Sequence, residues 1–224
     1  MGIIDAFIQF SPTLLEGIKD TLYMSFVTLL IAYFFGTFFG ITLYVTARDG
    51  IATMSVVNKF LGSIINALRS IPFIILMVML IPLTRQIIGT AIGTTAAIVP
   101  LSFAATPFIA RIVEVSLNEI DKGVIDAALS MGATKLQIII KVIIPESIPS
   151  LIRGSAIVII NLIGLSAMAG AIGAGGLGHL AIRYGHQRGQ SDIMFIIVLV
   201  IIVLVAIIQF LLDFLAKKID KKNI

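Results

Sequence analysis

The chain has 224 residues, of which 58% are hydrophobic and 12% are charged, and its mean hydropathy is +1.11. Soluble domains carry about 25% charged residues, so this composition excludes a soluble globular protein and indicates an integral membrane protein. The net charge of +4 needs no nucleic acid, because basic residues at the inner face of a membrane account for it, and the absence of cysteine excludes disulfides and thiolate metal sites.

The N-terminal residues form a short apolar run without the basic segment that begins a cleavable signal peptide. This run is too short to cross a membrane. The spacing of its large apolar residues predicts a small interfacial helix at the outer face instead. These residues are Ile3, Ile4, Phe7 and Ile8.

Five windows contain no Lys, Arg, Asp or Glu, and four of them reach the roughly 20 residues that a membrane-spanning helix needs. The windows are 21–47, 70–84, 86–110, 154–182 and 193–212. The second window becomes long enough only if it extends back through Arg69 toward Phe60, with the arginine reaching toward the headgroups. The sequence therefore predicts five transmembrane helices, with Arg69 either an interface anchor or part of a functional ion pair.

The distribution of basic residues orients these helices. An odd number of spans places the termini on opposite sides, and the positive-inside rule favours a cytoplasmic C-terminus. Twelve of the 16 Lys and Arg residues then lie inside, and the four outside are Lys19, Arg85, Arg183 and Arg188. We predict a multi-pass protein of the cell (inner or plasma) membrane with its N-terminus outside.

The first three windows carry glycine and proline at positions that affect helix packing. Gly36 and Gly40 are four residues apart, a spacing that allows a second helix to approach closely. Pro72 is expected to kink or loosen the second span. The third window contains four residues that weaken helices and either line a pore or pack closely: Gly89, Gly93, Pro100 and Pro107.

A charged segment, Asp121–Pro149, interrupts the apolar windows on the predicted cytoplasmic side. Its first part places apolar residues at helical spacing, namely Val124, Ile125, Ala128 and Leu129, which predicts a short amphipathic helix. Gly132 is predicted to end this helix in a left-handed conformation. Thr134 and Gln137 form a capping box for a second helix, which Pro145 disturbs because it has no backbone N–H.

The fourth window contains three candidates for a translocation pathway, which are Asn161, Ser166 and Met168. Asn161 is polar within a span and is expected to face protein or a pathway instead of lipid. Met168 either gates a pathway or fills the core, since methionine is flexible and suits both roles. The run Gly170–Gly178 predicts a close-packed exit from the membrane, because no βαβ unit supports its nominal dinucleotide-binding spacing.

The segment after this glycine-rich run carries charged residues on the predicted outer side. Arg183, His186, Arg188 and Asp192 form either a solvated face or a docking rim for an extracytoplasmic partner. His179 and His186 are seven residues apart with no further ligands, so the sequence predicts no metal site.

The charged segment carries a family resemblance. Asp126-Ala127-Ala128, three residues, Gly132, nine residues and then Val142-x-Ile144-Pro145 resembles the E-A-A-x3-G-x9-I-x-L-P loop of inner-membrane permease subunits of binding-protein-dependent ABC importers. Asp replaces the family Glu. Three further runs resemble the methionine-importer branch, and they are residues 69–85, Ala96–Arg111 and the serine-to-glycine run 166–178.

The resemblance implies an all-α membrane protein with five transmembrane helices and a cytoplasmic coupling helix, of the ABC importer type I permease kind. It implies one permease domain over residues 1–224 with a coupling loop at about 114–149. The residues implied in ATPase coupling are Asp126, Ala127, Ala128, Met131, Gly132 and Pro145. The implied partners are a second permease, two cytoplasmic ATPase subunits that bind ATP and Mg²⁺, and an extracytoplasmic methionine-binding protein.

The sequence contains no G-x-x-x-x-G-K-[ST] motif, so we predict a permease that is not itself an enzyme and holds no cofactor. The predicted cargo is methionine, as the L-form with the D-form as a second candidate; the alternative within the family is another small amino acid. An ion-driven secondary transporter is the rival class, but the windows lack carboxylates and five spans do not divide into two repeats. A structural membrane protein would not need the glycine-turn loop.

Overall fold

A computed structural model describes the backbone of residues 3–219 and the side chains of residues 10–218. This part of the chain is mostly helical and contains no strand. Its α-helices are α1 Ile3–Thr46, α2 Ser55–Ser70, α3 Phe73–Met79, α4 Ile81–Ile88, α5 Thr94–Asn118, α6 Lys122–Ser130, α7 Lys135–Ile138, α8 Ile144–Ala171, α9 Gly176–Leu180 and α10 Ser191–Ile219. Two π-helical segments, Ile139–Ile143 and Ala181–Gln187, lead into α8 and follow α9.

Four helical stretches of the described chain are long and apolar enough to cross a membrane, and they are Phe10–Thr46, Thr94–Asn118, Lys135–Ala171 and Ser191–Lys218. The bent pair α2 and α3 provides a fifth crossing when its two helices count as one span. The predicted all-α membrane fold is therefore confirmed.

The chain forms two compact units. The first contains the chain up to Ile31 together with Ile71–Ala105 and Ile159–Gln209. The second contains Ala32–Ser70, Thr106–Val158 and the chain from Phe210. Helices α1, α5, α8 and α10 each contribute residues to both units, so the units are not separate segments of sequence.

Two buried apolar clusters stand out in the described part of the first unit. One joins α1, α3, α5 and the end of α8 through Met24, Phe73, Met77, Ala97, Leu101, Ala169 and Ala174. The other joins α1, α9 and α10 through Phe10, Leu14, Leu177, Leu180, Ile196 and Ile197. The backbone N–H of Leu177 also donates to Thr21 Oγ1 at 2.9 Å. Together these contacts hold the glycine-rich segment against the N-terminal half of α1.

The second unit is organised by close contact between α1 and α5. A Cβ atom added to Gly36 would lie 2.7 Å from Ile109 Cγ2, and one added to Gly40 would lie 2.6 Å from the carbonyl oxygen of Ala110. Both distances are too short for a side chain, so the predicted role of these glycines in close helix packing is confirmed. The hydroxyls of Tyr33 and Ser155 hydrogen bond at 2.7 Å and tie α1 to α8.

The predicted separate interfacial helix at the N-terminus is wrong, because α1 continues without a break from Ile3 to Thr46 and includes Pro12. Phe10 and Leu14, which flank this proline, are buried in the cluster with α9 and α10. We attribute the continuity to this packing, which offsets the hydrogen bond that proline removes.

Pro72 breaks the second span where the sequence predicted a kink. Helix α2 ends at Ser70, Pro72 caps α3 in an extended conformation, and the chain bends by 102° between the two helices. Proline disfavours helical geometry in the residue before it, here Ile71, and this restriction accounts for the break.

Two predicted windows are shifted relative to the helices. Gly89 and Gly93 have positive φ and lie between α4 and α5, whereas Pro100 and Pro107 lie inside a continuous α5. Helix α8 ends at Ala171, before the end of the window at residue 182. Both windows were defined by the absence of charged residues. A glycine turn without charged residues cannot be distinguished from an apolar helix in this way.

Candidate functional site

Helix α6 has well-defined ends. Asp121 caps its first turn by accepting a hydrogen bond from the Gly123 N–H at 2.7 Å. At the other end the Gly132 N–H donates to Leu129 O at 2.9 Å and the Ala133 N–H donates to Ala128 O at 3.1 Å. This pair of bonds is a Schellman motif, and it requires the left-handed φ of +79° that Gly132 adopts.

The segment after Gly132 follows the sequence prediction closely. Thr134 and Gln137 form the expected capping box at the start of α7. The following π turn, Ile139–Ile143, ends where the Ile144 N–H donates to Ile139 O, five residues back. Pro145 has no N–H to continue the ladder, so it perturbs the helix by widening one turn without ending it.

The loop predicted at about 114–149 includes the end of α5 and the start of α8. Helix α5 continues to Asn118 and α8 begins at Ile144, so the loop comprises residues 119–143. The ion pair between Arg111 and Glu114 lies on α5, and such i,i+3 pairs stabilise the last turns of a helix.

Some apolar residues of α6 are buried against the rest of the chain and others are exposed. Ile125 and Ala128 are buried, and α6 packs against the π turn. Val124, Leu129 and especially Met131, which is 82% exposed, remain uncovered, as do Leu136 and Ile140 further along the loop. Large apolar side chains clustered on an exposed loop indicate a protein-binding surface.

Asp126 faces a groove of about 470 Å³ beside α6. The lining also includes the turn between α1 and α2, with Arg48 and Asp49. The complete lining is Tyr44, Ala47, Arg48, Asp49, Gly50, Ile51, Asn118, Ile120, Lys122, Ile125, Asp126 and Leu129. The α1–α2 turn was not singled out from the sequence, where its short charged run resembles any solvated connection.

The structure brings together five of the six predicted coupling residues, on α6 and its C-terminal turn: Asp126, Ala127, Ala128, Met131 and Gly132. Ala128 is buried and supports the helix, whereas Asp126, Ala127 and Met131 are exposed. Pro145 lies apart from them, on the first turn of α8. It shapes the connection between the loop and that helix.

Two of the three predicted pathway residues share one face of α8. Asn161 and Met168, which is 49% exposed, are seven residues apart, and the exposed Gly164 lies between them. Ser166 lies on another side of the helix, because it is 2% exposed and its hydroxyl donates to Ile163 O at 2.8 Å. Ser166 therefore does not line the face that carries Asn161 and Met168.

The glycine-rich segment after α8 is tightly packed, as predicted. A Cβ atom on Gly178 would lie 2.3 Å from the Cα atom of Ala167, and Gly175 and Gly176 both have positive φ. Beyond it, the guanidinium groups of Arg183 and Arg188 lie 5.8 and 4.6 Å from the ring centre of Tyr184. This arrangement orders a cationic surface at that end of the first unit.

These features define a class: a helical membrane transport subunit whose exposed apolar loop needs a protein partner. Residues 36–223 match the family described as binding-protein-dependent transport system inner membrane component. The match covers most of the chain, and the chain belongs to this family.

Similar proteins refine the comparison. The chain is 45% identical, over 95% of its length and 94% of the relative's, to the probable D-methionine transport system permease protein MetI of Vibrio cholerae. It is 44% identical, over 80% of its length and 81% of the relative's, to the methionine import system permease protein MetP of Bacillus subtilis. Its structure is similar to a chain of the MetNI methionine ABC transporter in an inward-facing crystal form, with a TM-score of 0.93, 42% identity and coverage of 95% and 99%.

Proposed function

We propose that this chain is the permease subunit of an ATP-driven importer for methionine. The observation that supports methionine as the substrate is the 45% identity, over 95% of the chain, to a probable D-methionine permease. The uncovered apolar residues of α6 support coupling to a soluble partner. A permease for another small amino acid is the alternative that shares every structural feature described.

The energy source lies in other subunits. The sequence has no phosphate-binding loop, so ATP and Mg²⁺ are held by a partner ATPase, and no cofactor is needed in this chain. Helix α6 docks on that ATPase through Val124, Ala127 and Met131, which lie at i, i+3 and i+7 and therefore on one side of the helix. Asp126 contributes a carboxylate at the edge of the contact.

Two copies of the chain form the pore. The exposed α8 face carrying Asn161, Gly164 and Met168 lines the axis, where a polar residue within a span avoids lipid. The cationic surface of Arg183, Tyr184 and Arg188 receives an extracytoplasmic binding protein that delivers the substrate. Arginine and tyrosine are enriched at such contacts.

Helix α8 links the two functions physically. It is continuous from Ile144, directly after the π turn, to Ala171, and it carries Met168 near its end. Closure of the ATPases moves α6, and α8 transmits the displacement as a rigid element, shifting the pore from inward- to outward-facing.

In the proposed orientation, the N-terminus is outside and the α1–α2 turn and α6 are cytoplasmic. Because the chain has no cysteine, single cysteines report sidedness directly. Met54→Cys in the α1–α2 turn and Gln190→Cys before α10 are expected to react with a membrane-impermeant maleimide from opposite sides of sealed vesicles. Reaction of both from one side is incompatible with five spans.

The test of function is uptake into proteoliposomes that contain the permease, its ATPase and its binding protein. We expect ATP-dependent accumulation of methionine that exceeds accumulation of leucine, glutamine and alanine at equal concentration. Preference for another amino acid would reassign the cargo. Uptake that continues without ATP and follows an ion gradient would reject an ATP-driven importer.

A further inference from the structure

A second groove lies in the second unit, between α2, α5 and α8, and has a volume of about 320 Å³. Three arginines line it, one from each helix: Arg69, Arg111 and Arg153. Its remaining lining is Phe108, Ile112, Val115, Ser116, Glu119, Ser150, Gly154 and Ile157. Of the loop residues 119–143, only Glu119 lines this groove, and the Asn161–Met168 face does not use it.

The guanidinium group of Arg111 is held in place by neighbours. Its Nη1 pairs with Glu114 on the same helix, and its Nη2 donates to Asn66 Oδ1 on α2 at 2.9 Å. These two contacts use only part of a group with five N–H donors. Arg111 is therefore oriented at the groove with donor capacity that a ligand can use.

Cations in a groove between helices that cross the membrane need anionic or aqueous surroundings. Arg69 is 14 residues from the start of α2, which places it roughly 21 Å along the helix. Arginines within spans face the protein interior or a water-filled cavity and mark pathways. Three of them around one groove attract an anion, and a guanidinium fork binds a carboxylate in two-pronged fashion.

The rest of the groove is divided between acidic and apolar surfaces. At one end the Ser150 hydroxyl lies 2.7 Å from Glu119 Oε2 and 3.1 Å from Ser116 Oγ, which provides acceptors for a cationic group. Phe108, Ile112 and Ile157 provide an apolar wall. Anion, cation and apolar sites in one small groove match the three parts of a zwitterionic amino acid with an apolar side chain.

We propose that this groove is a cytoplasmic-side binding site for the transported amino acid. The arginines bind the α-carboxylate, Glu119 with the serines binds the ammonium group, and Phe108, Ile112 and Ile157 contact the side chain. Ile157 lies about one helical turn before Asn161 on α8, so the substrate reaches the groove after passing the pore-lining face. The inference rests on the proposed transport function.

The phosphate of an anionic lipid headgroup is also an anion that these arginines can bind. The experiment therefore tests methionine and anionic lipid separately. Ile157→Cys places one thiol in the groove, where Ile157 is 59% exposed. The assembled transporter, with its ATPase, is placed in vesicles of zwitterionic lipid only or with anionic lipid added. Modification of this thiol by N-ethylmaleimide is followed by mass spectrometry of the permease chain.

In zwitterionic vesicles, saturating L-methionine is expected to slow the modification about tenfold when about 90% of sites are occupied, because only the empty fraction reacts. Methioninol, which lacks the carboxylate, is expected to give no protection. Arg69→Gln and Arg153→Gln in the same cysteine background should remove the protection by methionine. Arg85→Gln, an exposed arginine on α4 that does not line the groove, is the matched control and should retain it.

Each rate is compared with and without ligand in the same variant, since removing a nearby cation also changes the reactivity of the thiol. Protection by anionic lipid but not by methionine would assign the groove to a headgroup and overturn the proposal. Absence of protection by either would also overturn it. Methionine uptake by the unsubstituted transporter is measured in parallel, so failure of the groove and failure of the transport function are seen separately.

Discussion

Gly132→Val is expected to reduce ATP-coupled uptake strongly while the permease still inserts in the membrane. Gly132 has a φ of +79°, and no heavy atom lies within 4 Å of the position its Cβ would occupy. The effect therefore comes from the backbone: a left-handed conformation costs an L-residue roughly 1–2 kcal/mol, and more when the side chain is β-branched. Relief of this strain breaks the Schellman bonds that hold Ala133 against Ala128 and reorients α6.

The matched control is Gly132→Asn, because asparagine tolerates the left-handed region better than other residues. We expect it to retain most uptake. Copurification of the ATPase and substrate-stimulated ATP hydrolysis measure docking and coupling directly. If the valine variant retained both activities at the level of the asparagine variant, the turn at Gly132 would not be needed for coupling.

Met168→Asp is expected to block transport or assembly of the permease dimer. Met168 is half exposed on the isolated chain and shares a face with Asn161. If two copies meet on the pore axis, two carboxylates become buried side by side without a partner, which is strongly unfavourable. Met168→Ala only removes apolar contact, so we expect an assembled transporter with altered uptake or increased uncoupled ATP hydrolysis.

Cross-linking locates Met168 independently of activity. In this cysteine-free chain, Met168→Cys is expected to form a disulfide between two permeases under mild oxidation in at least one nucleotide state. Ser166→Cys, two residues away but 2% exposed, should not cross-link. Absence of the Met168→Cys bond in every state would remove this residue from the dimer axis.

Local features were predicted from the sequence because each depends on a few adjacent residues. The capping box of Thr134 and Gln137, the left-handed Gly132 and the disturbance of the helix at Pro145 all follow from backbone chemistry within one or two helical turns. The close packing at Gly36 and Gly40 was likewise indicated by their spacing. The helical membrane class followed from composition alone.

Helix boundaries and the assignment of faces required the tertiary structure. Charge-free windows missed the ends of α5 and α8, because a glycine turn packed against its neighbours needs no charge. Periodicity placed Val124 and Ile125 on one apolar face of α6, yet only Ile125 is buried against the rest of the chain. Ser166 was grouped with Met168 by proximity, whereas its burial places it elsewhere.

The sequence by itself determined that this protein is a helical membrane protein with a charged loop whose first helix ends at a glycine, because hydropathy, backbone φ preferences and capping are properties of short segments. Only the tertiary structure decided which side chains those segments expose. It also brought together three arginines, each 42 residues from the next in sequence, so that Arg69, Arg111 and Arg153 line one groove. The physical reason is that burial and electrostatic neighbourhood depend on which helices pack together, and no local pattern encodes contacts at such separations.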